Sequence, residues 1–176
     1  MFKNIAFIGG IHGVGKSTVC EHICSELSYK HLVASEVLKW REINSDINNK
    51  KVTDIGNTQD RLIQGLTGIT DASSQYLLDG HFCLLDINNV IVNVPLNTFI
   101  NINPISLNII IGEVVNIKQR LEKRDNRHYD LALLNEMQKR ELEYAKEIST
   151  QIGIILNIGT ELEFSDIFNS LKQIEK

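Results

Sequence analysis

The chain has 176 residues, of which 43% are hydrophobic and 23% are charged, and its formal net charge is −4 at neutral pH. This length and composition exclude a disordered or fibrous chain and predict one folded domain over residues 1–176. Because the sequence pI is near 5.7, no overall positive field is available for a nucleic-acid backbone. A polynucleotide partner is therefore not expected.

The beginning of the chain and its cysteines indicate the compartment. The N-terminus passes directly into an apolar segment without a basic leader, and no apolar run reaches membrane-spanning length. These features predict a cytoplasmic protein with no membrane partner. Cys20, Cys24 and Cys83 would then stay reduced, without a disulfide. Since no second ligand pair follows Cys20 and Cys24, we interpret both as small buried residues rather than metal ligands.

The first part of the chain alternates apolar runs with helical patterns. Residues 3–9 predict a strand buried on both faces, because their apolar side chains do not alternate with polar ones. Val19, Ile23 and Leu27 recur every four residues and predict a helix over residues 17–28. The next predicted elements are a strand over 31–34, a helix beginning at Ser35, a loop over 44–51 and a helix over 53–66 capped by Thr53.

The rest of the chain continues the alternation. Residues 75–79 predict a third buried strand, and Asn88 and Asn89 between two apolar runs predict a hairpin after it. Pro95 and Pro104 lie in the connection to the next strand. The remaining predicted elements are a strand over 107–111, a helix from Val114 to the basic segment 120–127, a helix over 130–149, a strand over 152–157 and a helix over 164–172.

Alternation of strands and helices along the whole chain predicts the fold class. Consecutive parallel strands need crossover connections, and these are right-handed and usually helical. We therefore expect an α/β fold of three layers, with five parallel strands between helices and a small hairpin after the third strand.

Residues 10–17 read GIHGVGKS and match the P-loop pattern GxxxxGK[ST] between a predicted strand and a predicted helix. The glycines let backbone N–H groups point at phosphate oxygens, and the helix dipole adds positive potential. Lys16, expected to be solvated, would bridge the β- and γ-phosphates, and the Ser17 hydroxyl would ligate Mg²⁺. The pattern predicts ATP and Mg²⁺ as cofactors. The predicted nucleotide-binding residues here are Gly10, Ile11, His12, Gly13, Val14, Gly15, Lys16, Ser17 and Thr18.

Asp79 ends the third predicted strand, at the sheet edge where α/β proteins bind ligands. A carboxylate at that edge can hold a water on Mg²⁺ or accept a proton from the attacking group, so we predict Asp79 and Ser17 as the metal-binding pair. The alternative is that Asp79 caps a turn. His81 either contacts a second substrate or is a packed or solvent-facing histidine.

Arg120, Arg124 and Arg127 form the concentrated cationic feature of the sequence. Arg120 and Arg124 are one helical turn apart and share a face. The planar guanidinium suits phosphoryl transfer, because it can stabilise charge that spreads over phosphate oxygens. An ordinary solvated helix end is the alternative interpretation of the same residues.

The order of these motifs resembles the P-loop nucleoside monophosphate kinases, in particular archaeal-type adenylate kinases and related small AAA-type ATP-binding proteins. The likeness spans nearly the whole chain, including the strand end Leu78-Asp79-Gly80-His81, the hairpin, and the run from Arg120-Leu121 to Arg124-Asp125. The long helix with Gln138, Glu143, Tyr144 and Ala145 completes it. The Asp-Gly-x-x-Arg signature of common bacterial adenylate kinases is missing, because Phe82 and Cys83 follow His81.

The resemblance implies roles for several residues. Arg120, Arg124 and Arg127 would belong to a short helical lid over the phosphates and would act in catalysis with Lys16 and Asp79. Gly159 and Thr160 would lie near the adenine.

Two hypotheses follow for the function. The first is a phosphotransferase that moves the γ-phosphate of ATP to a nucleoside monophosphate with Mg²⁺. The second is an ATP-dependent switch or assembly factor with slow ATPase activity that acts on a protein partner. A kinase of polynucleotides or small metabolites is a weaker third hypothesis.

Overall fold

The computed structural model describes residues 2–38 and 55–174. Its strands are β1 (Ile5–Gly9), β2 (Tyr29–Val33), β3 (Gln75–Asp79), β4 (Cys83–Leu85), β5 (Ile91–Asn93), β6 (Ser106–Ile110) and β7 (Leu156–Gly159). Its helices are α1 (Lys16–Glu26), α2 (Ala34–Val37), α3 (Ile55–Ile69), α4 (Leu96–Ile102), α5 (Val114–Asp125), α6 (Leu131–Ile152) and α7 (Ser165–Ile174). None of these helices is both long and apolar enough to cross a membrane.

Five strands form one parallel sheet in the order β2-β3-β1-β6-β7. β1 lies at the centre, where Ile8 is paired with Asp79 on β3 and with Asn108 on β6. This register brings the carboxyl end of β1, from which the glycine-rich segment leaves, beside the end of β3. The predicted five-stranded parallel sheet is confirmed.

Helices cover both faces of the sheet, because alternate side chains of each strand enter different hydrophobic clusters. On β1, Ile5 and Phe7 enter one cluster, and Ala6 and Ile8 enter the other. The first cluster receives side chains of α3, α4 and the second half of α6, and the other receives those of α1, α5 and α7. The three-layer α/β fold is thus confirmed.

β4 and β5 form a separate antiparallel hairpin directly after β3, as the sequence predicts. The turn uses Asn89 in a left-handed conformation, with φ of 62°. Asp86 Oδ1 accepts hydrogen bonds from the N–H groups of Asn88 and Val90, each at 2.8 Å. The side chain of Asp86 therefore satisfies the backbone of the turn.

Two elements differ most from the sequence-based expectation. The connection between Pro95 and Pro104 contains α4, whose Phe99 and Ile102 are fully buried. The last strand begins at Leu156 rather than at residue 152, because α6 continues to Ile152 and ends at Gly153 with φ of 70°. The expected loop over residues 44–51 and the Thr53 cap lie outside the described residues.

Candidate nucleotide-binding site

The segment between β1 and α1 has the geometry of a phosphate-binding loop. Gly10, Gly13 and Gly15 adopt φ of +137°, +76° and +102°, a region that other residues rarely enter. A Cβ atom on Gly10 would lie 2.4 Å from the carbonyl oxygen of Ile110, so a larger residue does not fit. The segment leads into the N-terminus of α1, where free N–H groups and the helix dipole favour an anion.

Lys16, the first residue of α1, is folded back over this loop. Its side chain is only 7% exposed, and Nζ donates hydrogen bonds to the carbonyl oxygens of Gly10 at 2.7 Å and Ile11 at 3.3 Å. Nζ also lies 3.8 Å from Asp79 Oδ1. The expectation of a solvated Lys16 is therefore wrong, because loop carbonyls and the carboxylate replace water around the ammonium group.

Asp79 lies at the end of β3 and faces the beginning of α1. Ser17 Oγ donates a hydrogen bond to Asp79 Oδ2 at 3.3 Å, and His31 Nε2 lies 3.9 Å from the same oxygen. Burial raises the pKa of Asp79, but polar interaction with His31 and the charge of Lys16 together outweigh burial and leave that pKa below its ordinary value. Asp79 is thus ionised beside Ser17, the two residues that the sequence pairs as metal ligands.

A cleft of about 980 Å³ opens beside these residues. One end is lined by the glycine-rich loop and the start of α1, including His12, Lys16, Ser17 and Thr18. The other end lies between the sheet edge, α2, α3 and α4. Its side chains there are mostly apolar or uncharged; they include Leu38, Gln59, Leu62, Leu84, Val94, Thr98, Phe99 and Ile102.

The three predicted lid arginines occupy different surroundings near the end of α5. Arg120 and Arg124 line the cleft. Arg120 forms an ion pair with Glu161, and Arg124 donates to both carboxylate oxygens of Asp125 at 2.6 and 2.8 Å.

Arg127 lies apart from the cleft-lining residues. Its guanidinium lies 4.7 Å from the ring centre of Tyr129 and donates to the Tyr129 hydroxyl at 2.7 Å. It lines a shallow surface recess with Glu122, Asn126 and His128. The structure therefore brings two of the three arginines to the cleft.

Other predicted nucleotide-binding residues have structural contacts of their own. The side chains of Ile11 and Val14 are buried in a hydrophobic cluster, so only their backbone is available to a phosphate. Gly159 packs under α7, where an added Cβ would lie 3.0 Å from the side chain of Ile167. Its carbonyl accepts a hydrogen bond from Ile111 N at 2.9 Å, which joins β7 to the end of β6.

Glu141 and its contacts with the site were not found from the sequence. The carboxylate is fully buried and accepts hydrogen bonds from the N–H groups of Phe82 at 3.0 Å and Cys83 at 3.3 Å. His81 Nδ1 lies 3.4 Å from Glu141 Oε1, and the ring centres of His81 and His12 are 4.1 Å apart. Burial lowers the pKa of His81, the charge of Lys16 lowers it further, and Glu141 opposes both.

A signal for Glu141 does exist in the sequence. Leu134, Met137, Glu141, Tyr144 and Ile148 recur at helical spacing and form the buried face of α6. A carboxylate among apolar residues on such a face predicts a buried polar contact, since an unpaired charge there would be very unfavourable.

Comparison with known proteins places this site in a family. A family model described as AAA domain matches residues 9–149, which is most of the chain. A comparison with curated proteins finds no match. Among solved structures, a gluconokinase from Sinorhizobium meliloti 1021 is similar with a TM-score of 0.59 and 13% sequence identity, over 98% of this chain and 93% of that one.

The structural likeness, at this low identity, concerns the fold alone, and it extends over nearly the whole of both chains. The family match begins at the end of β1 and includes the glycine-rich loop, β3 and both cleft-lining arginines. The chain therefore belongs to the AAA domain family and has a kinase-like P-loop fold.

Proposed function

We propose that the protein is an ATP-dependent phosphotransferase that moves the γ-phosphate of ATP to a small acceptor, with a nucleoside monophosphate as the preferred candidate. The observation that carries this proposal is the position of the loop, Lys16, Ser17 and Asp79 at one end of a cleft of about 980 Å³. This volume is at the upper end of the roughly 300–1,000 Å³ that is typical of ligand pockets. The cleft therefore has room for a nucleotide and a second small molecule.

The loop fits the phosphates of ATP. Gly10, Gly13 and Gly15 all adopt positive φ and carry no side chain, so the backbone can curve around a phosphate at these three positions. The ammonium group of Lys16 now bonds to loop carbonyls at 2.7 and 3.3 Å, and it would contact the β- and γ-phosphates from the same place. In the proposed role, Lys16 and the N–H groups of the loop bind the phosphates and hold the γ-phosphate in place.

Ser17 and Asp79 fit Mg²⁺. Both offer oxygen atoms, which Mg²⁺ prefers, and their side-chain oxygens are 3.3 Å apart. The Ser17 hydroxyl would bind the ion directly, and the Asp79 carboxylate would bind it through a water. Bound Mg²⁺ would neutralise negative charge on the phosphate oxygens.

Arg120 and Arg124 would stabilise the transferring phosphoryl group. Both line the cleft within the same helical turn of α5 and carry permanent positive charge. Guanidinium groups aimed at phosphate oxygens stabilise most strongly the state in which charge spreads over those oxygens. The name of the Sinorhizobium meliloti structure, a gluconokinase, agrees with phosphoryl transfer to a small molecule on this fold.

The alternative function is an ATP-dependent switch or assembly factor with slow ATPase activity. One observation favours it: among the described residues that line the cleft, the lysines and arginines are Lys16, Arg120 and Arg124, all at the loop end or on α5. A monophosphate acceptor carries negative charge and would need cations of its own. The apolar end of the cleft, which lacks lysine and arginine among its described lining residues, suits a neutral acceptor or the absence of an acceptor.

The test is a panel of nucleoside monophosphates incubated with the full chain and Mg-ATP, scored for the diphosphate product. The proposal expects one monophosphate to increase ATP consumption strongly and the Lys16→Ala variant to lose this activity. Gluconate and related hydroxyl compounds extend the panel to neutral or weakly charged nucleophiles. If no acceptor increases ATP consumption, the transferase proposal fails and the switch takes its place.

A further inference from the structure

We infer that Cys20, His31 and Asp79 form a binding site for a thiophilic divalent cation, such as Zn²⁺, next to the P-loop. The three residues come from α1, β2 and β3, and their sulfur, nitrogen and oxygen atoms all lie within 4.8 Å of one another. Thiolate, imidazole and carboxylate are the side chains that bind zinc in proteins. Residues far apart in sequence thus converge on one small volume, and Cys20, which the sequence indicates only as a small buried residue, becomes a candidate ligand.

The imidazole of His31 interacts with the Asp79 carboxylate at 3.9 Å but makes no hydrogen bond of normal length within the described residues. Its Nε2 is buried and has no hydrogen-bond partner in the described part of the chain. A buried polar atom without a partner costs free energy, and a nitrogen lone pair aimed at a cation removes this cost. Asp79 Oδ2 lies 3.9 Å from Nε2, so nitrogen and carboxylate flank the same space.

Asp79 can take part because its two oxygens have different neighbours. Oδ1 lies 3.8 Å from the ammonium group of Lys16, which repels other cations. Oδ2 lies close to Ser17 Oγ at 3.3 Å and to His31 Nε2 at 3.9 Å. A cation bound between Oδ2, His31 and Cys20 would therefore use the oxygen that does not pair with Lys16.

The geometry suits a tetrahedral ion after a small contraction. Zinc binds sulfur at about 2.3 Å and nitrogen or oxygen at about 2.0–2.2 Å, so neighbouring ligand atoms are roughly 3.4–3.6 Å apart. The 3.9 Å between His31 Nε2 and Asp79 Oδ2 is close to this value. Three protein ligands leave a fourth position, which a water or the Ser17 hydroxyl would fill.

Binding changes no oxidation state. Burial and the charge of Asp79 raise the pKa of the Cys20 thiol, so the positive charge of the cation must drive its ionisation. The S–H bond then breaks, its proton leaves to solvent, and the sulfur electron pair bonds to the cation. Mg²⁺ prefers oxygen ligands and loses its bound waters reluctantly, so it should bind poorly to the sulfur of Cys20 and the nitrogen of His31.

One consequence, which rests on the proposed function, is inhibition. A cation held by Cys20 and His31 would also hold Asp79 Oδ2, the oxygen that now accepts a hydrogen bond from Ser17. Asp79 would then be withdrawn from the Mg²⁺ position. Zn²⁺ is expected to lower ATP turnover at Mg²⁺ concentrations that otherwise support it.

The site itself can be tested without nucleotide, by titrating the full chain with Co²⁺ and recording its absorption spectrum. Thiolate bonded to Co²⁺ gives a charge-transfer band in the near ultraviolet, and tetrahedral Co²⁺ gives visible bands. We expect both at one ion per chain in the wild type, and loss of both on addition of Zn²⁺. The matched control is Cys24→Ala, one turn further along α1, which should keep the bands.

Cys20→Ala and Cys20→Ser should lose the charge-transfer band while circular dichroism shows a folded chain, and His31→Gln should bind Co²⁺ at least tenfold more weakly. An unchanged band in the Cys20 variants overturns the inference. If those variants do not fold, X-ray absorption of the Zn²⁺-loaded Cys24→Ala protein decides: one sulfur ligand supports the site, and a shell of nitrogen and oxygen alone overturns it. None of these outcomes depends on phosphotransferase activity.

Discussion

Arg120 and Glu161 form an ion pair that joins α5 to the segment after β7, directly against Gly15 of the P-loop. A Cβ atom on Gly15 would lie 2.7 Å from Glu161 Cδ, so the acidic side chain covers the turn that the proposed function gives to phosphate. A bound triphosphate and Glu161 would compete for the same guanidinium group.

Removing the carboxylate is therefore expected to strengthen ATP binding. The pair is partly solvated, with side chains 43% and 30% exposed, and such pairs contribute at most about 1 kcal/mol. Glu161→Ala should lower the dissociation constant of ATP by about fivefold or less, measured by titration calorimetry. Glu136→Ala, an exposed change on α6, is the control and should have no effect. Weaker binding in Glu161→Ala would show that Glu161 supports the nucleotide site instead.

The parallel sheet could be predicted because its strands are short apolar runs bounded by glycine, proline and asparagine. The helix α4 (Leu96–Ile102) could not be predicted, because a helix this short has little stability of its own. Its helical form depends on burial of Phe99 and Ile102 in the cluster around Phe7 and Phe82. That information lies in tertiary packing and not in the local pattern.

In the candidate site, too, local features could be predicted and contacts between distant residues could not. The P-loop is a local motif, and Asp79 could be placed because a strand end is also a local feature. The pairs Arg120–Glu161 and Phe82–Glu141 join residues 41 and 59 positions apart, and no spacing rule connects them. The single domain, the cytoplasmic location and the roles of the site residues stay predictions.

Glu141 is expected to stabilise the segment that joins β3 to the hairpin. Its carboxylate accepts from two buried N–H groups at 3.0 and 3.3 Å, and Glu141→Gln keeps one acceptor oxygen and loses the other. An unsatisfied buried donor costs about 1–3 kcal/mol, which should appear as a lower free energy of unfolding in urea. Glu143→Gln, on the exposed side of the same helix, should change stability by less than about 0.5 kcal/mol. Equal stability of the two variants would mean that the Glu141 contacts are not formed.

Cys83 is expected to reduce stability at alkaline pH. Burial, aided by the charge of Glu141, raises the pKa of the Cys83 thiol to about 12. A thiol in the unfolded chain has a pKa of about 8.5. At pH values between the two pKa values, the unfolded state therefore loses a proton that the folded state keeps. The free energy of unfolding should then fall as pH rises through this window and be unaffected by Cys83 below it. Urea unfolding of wild type and Cys83→Ala at about pH 7.5 and 10.5 tests this, because the variant removes the thiol and leaves the lysines in place. The loss should be smaller in Cys83→Ala, and equal losses would contradict the prediction.

The arginines of α5 and the following turn should differ in their effect on phosphoryl transfer. Arg124 lines the cleft, whereas Arg127 packs on Tyr129 outside it. Arg124→Ala is expected to lower the turnover number roughly a hundredfold or more while changing ATP affinity only a few-fold, because a charge that matches the transition state contributes little to ground-state binding.

Arg127→Ala is the matched control and should reduce turnover only a few-fold, since its guanidinium is held by a hydroxyl and an aromatic ring. Arg124→Lys should recover little activity, because an ammonium group cannot reproduce the planar fork that contacts two phosphate oxygens. The measurement is the turnover number with the acceptor identified in the panel, together with the dissociation constant of ATP. Equal losses in Arg124→Ala and Arg127→Ala would require Arg127 to leave Tyr129 and enter the cleft during the reaction. In that case Tyr129→Phe, which frees the guanidinium from the hydroxyl, should raise turnover rather than lower it.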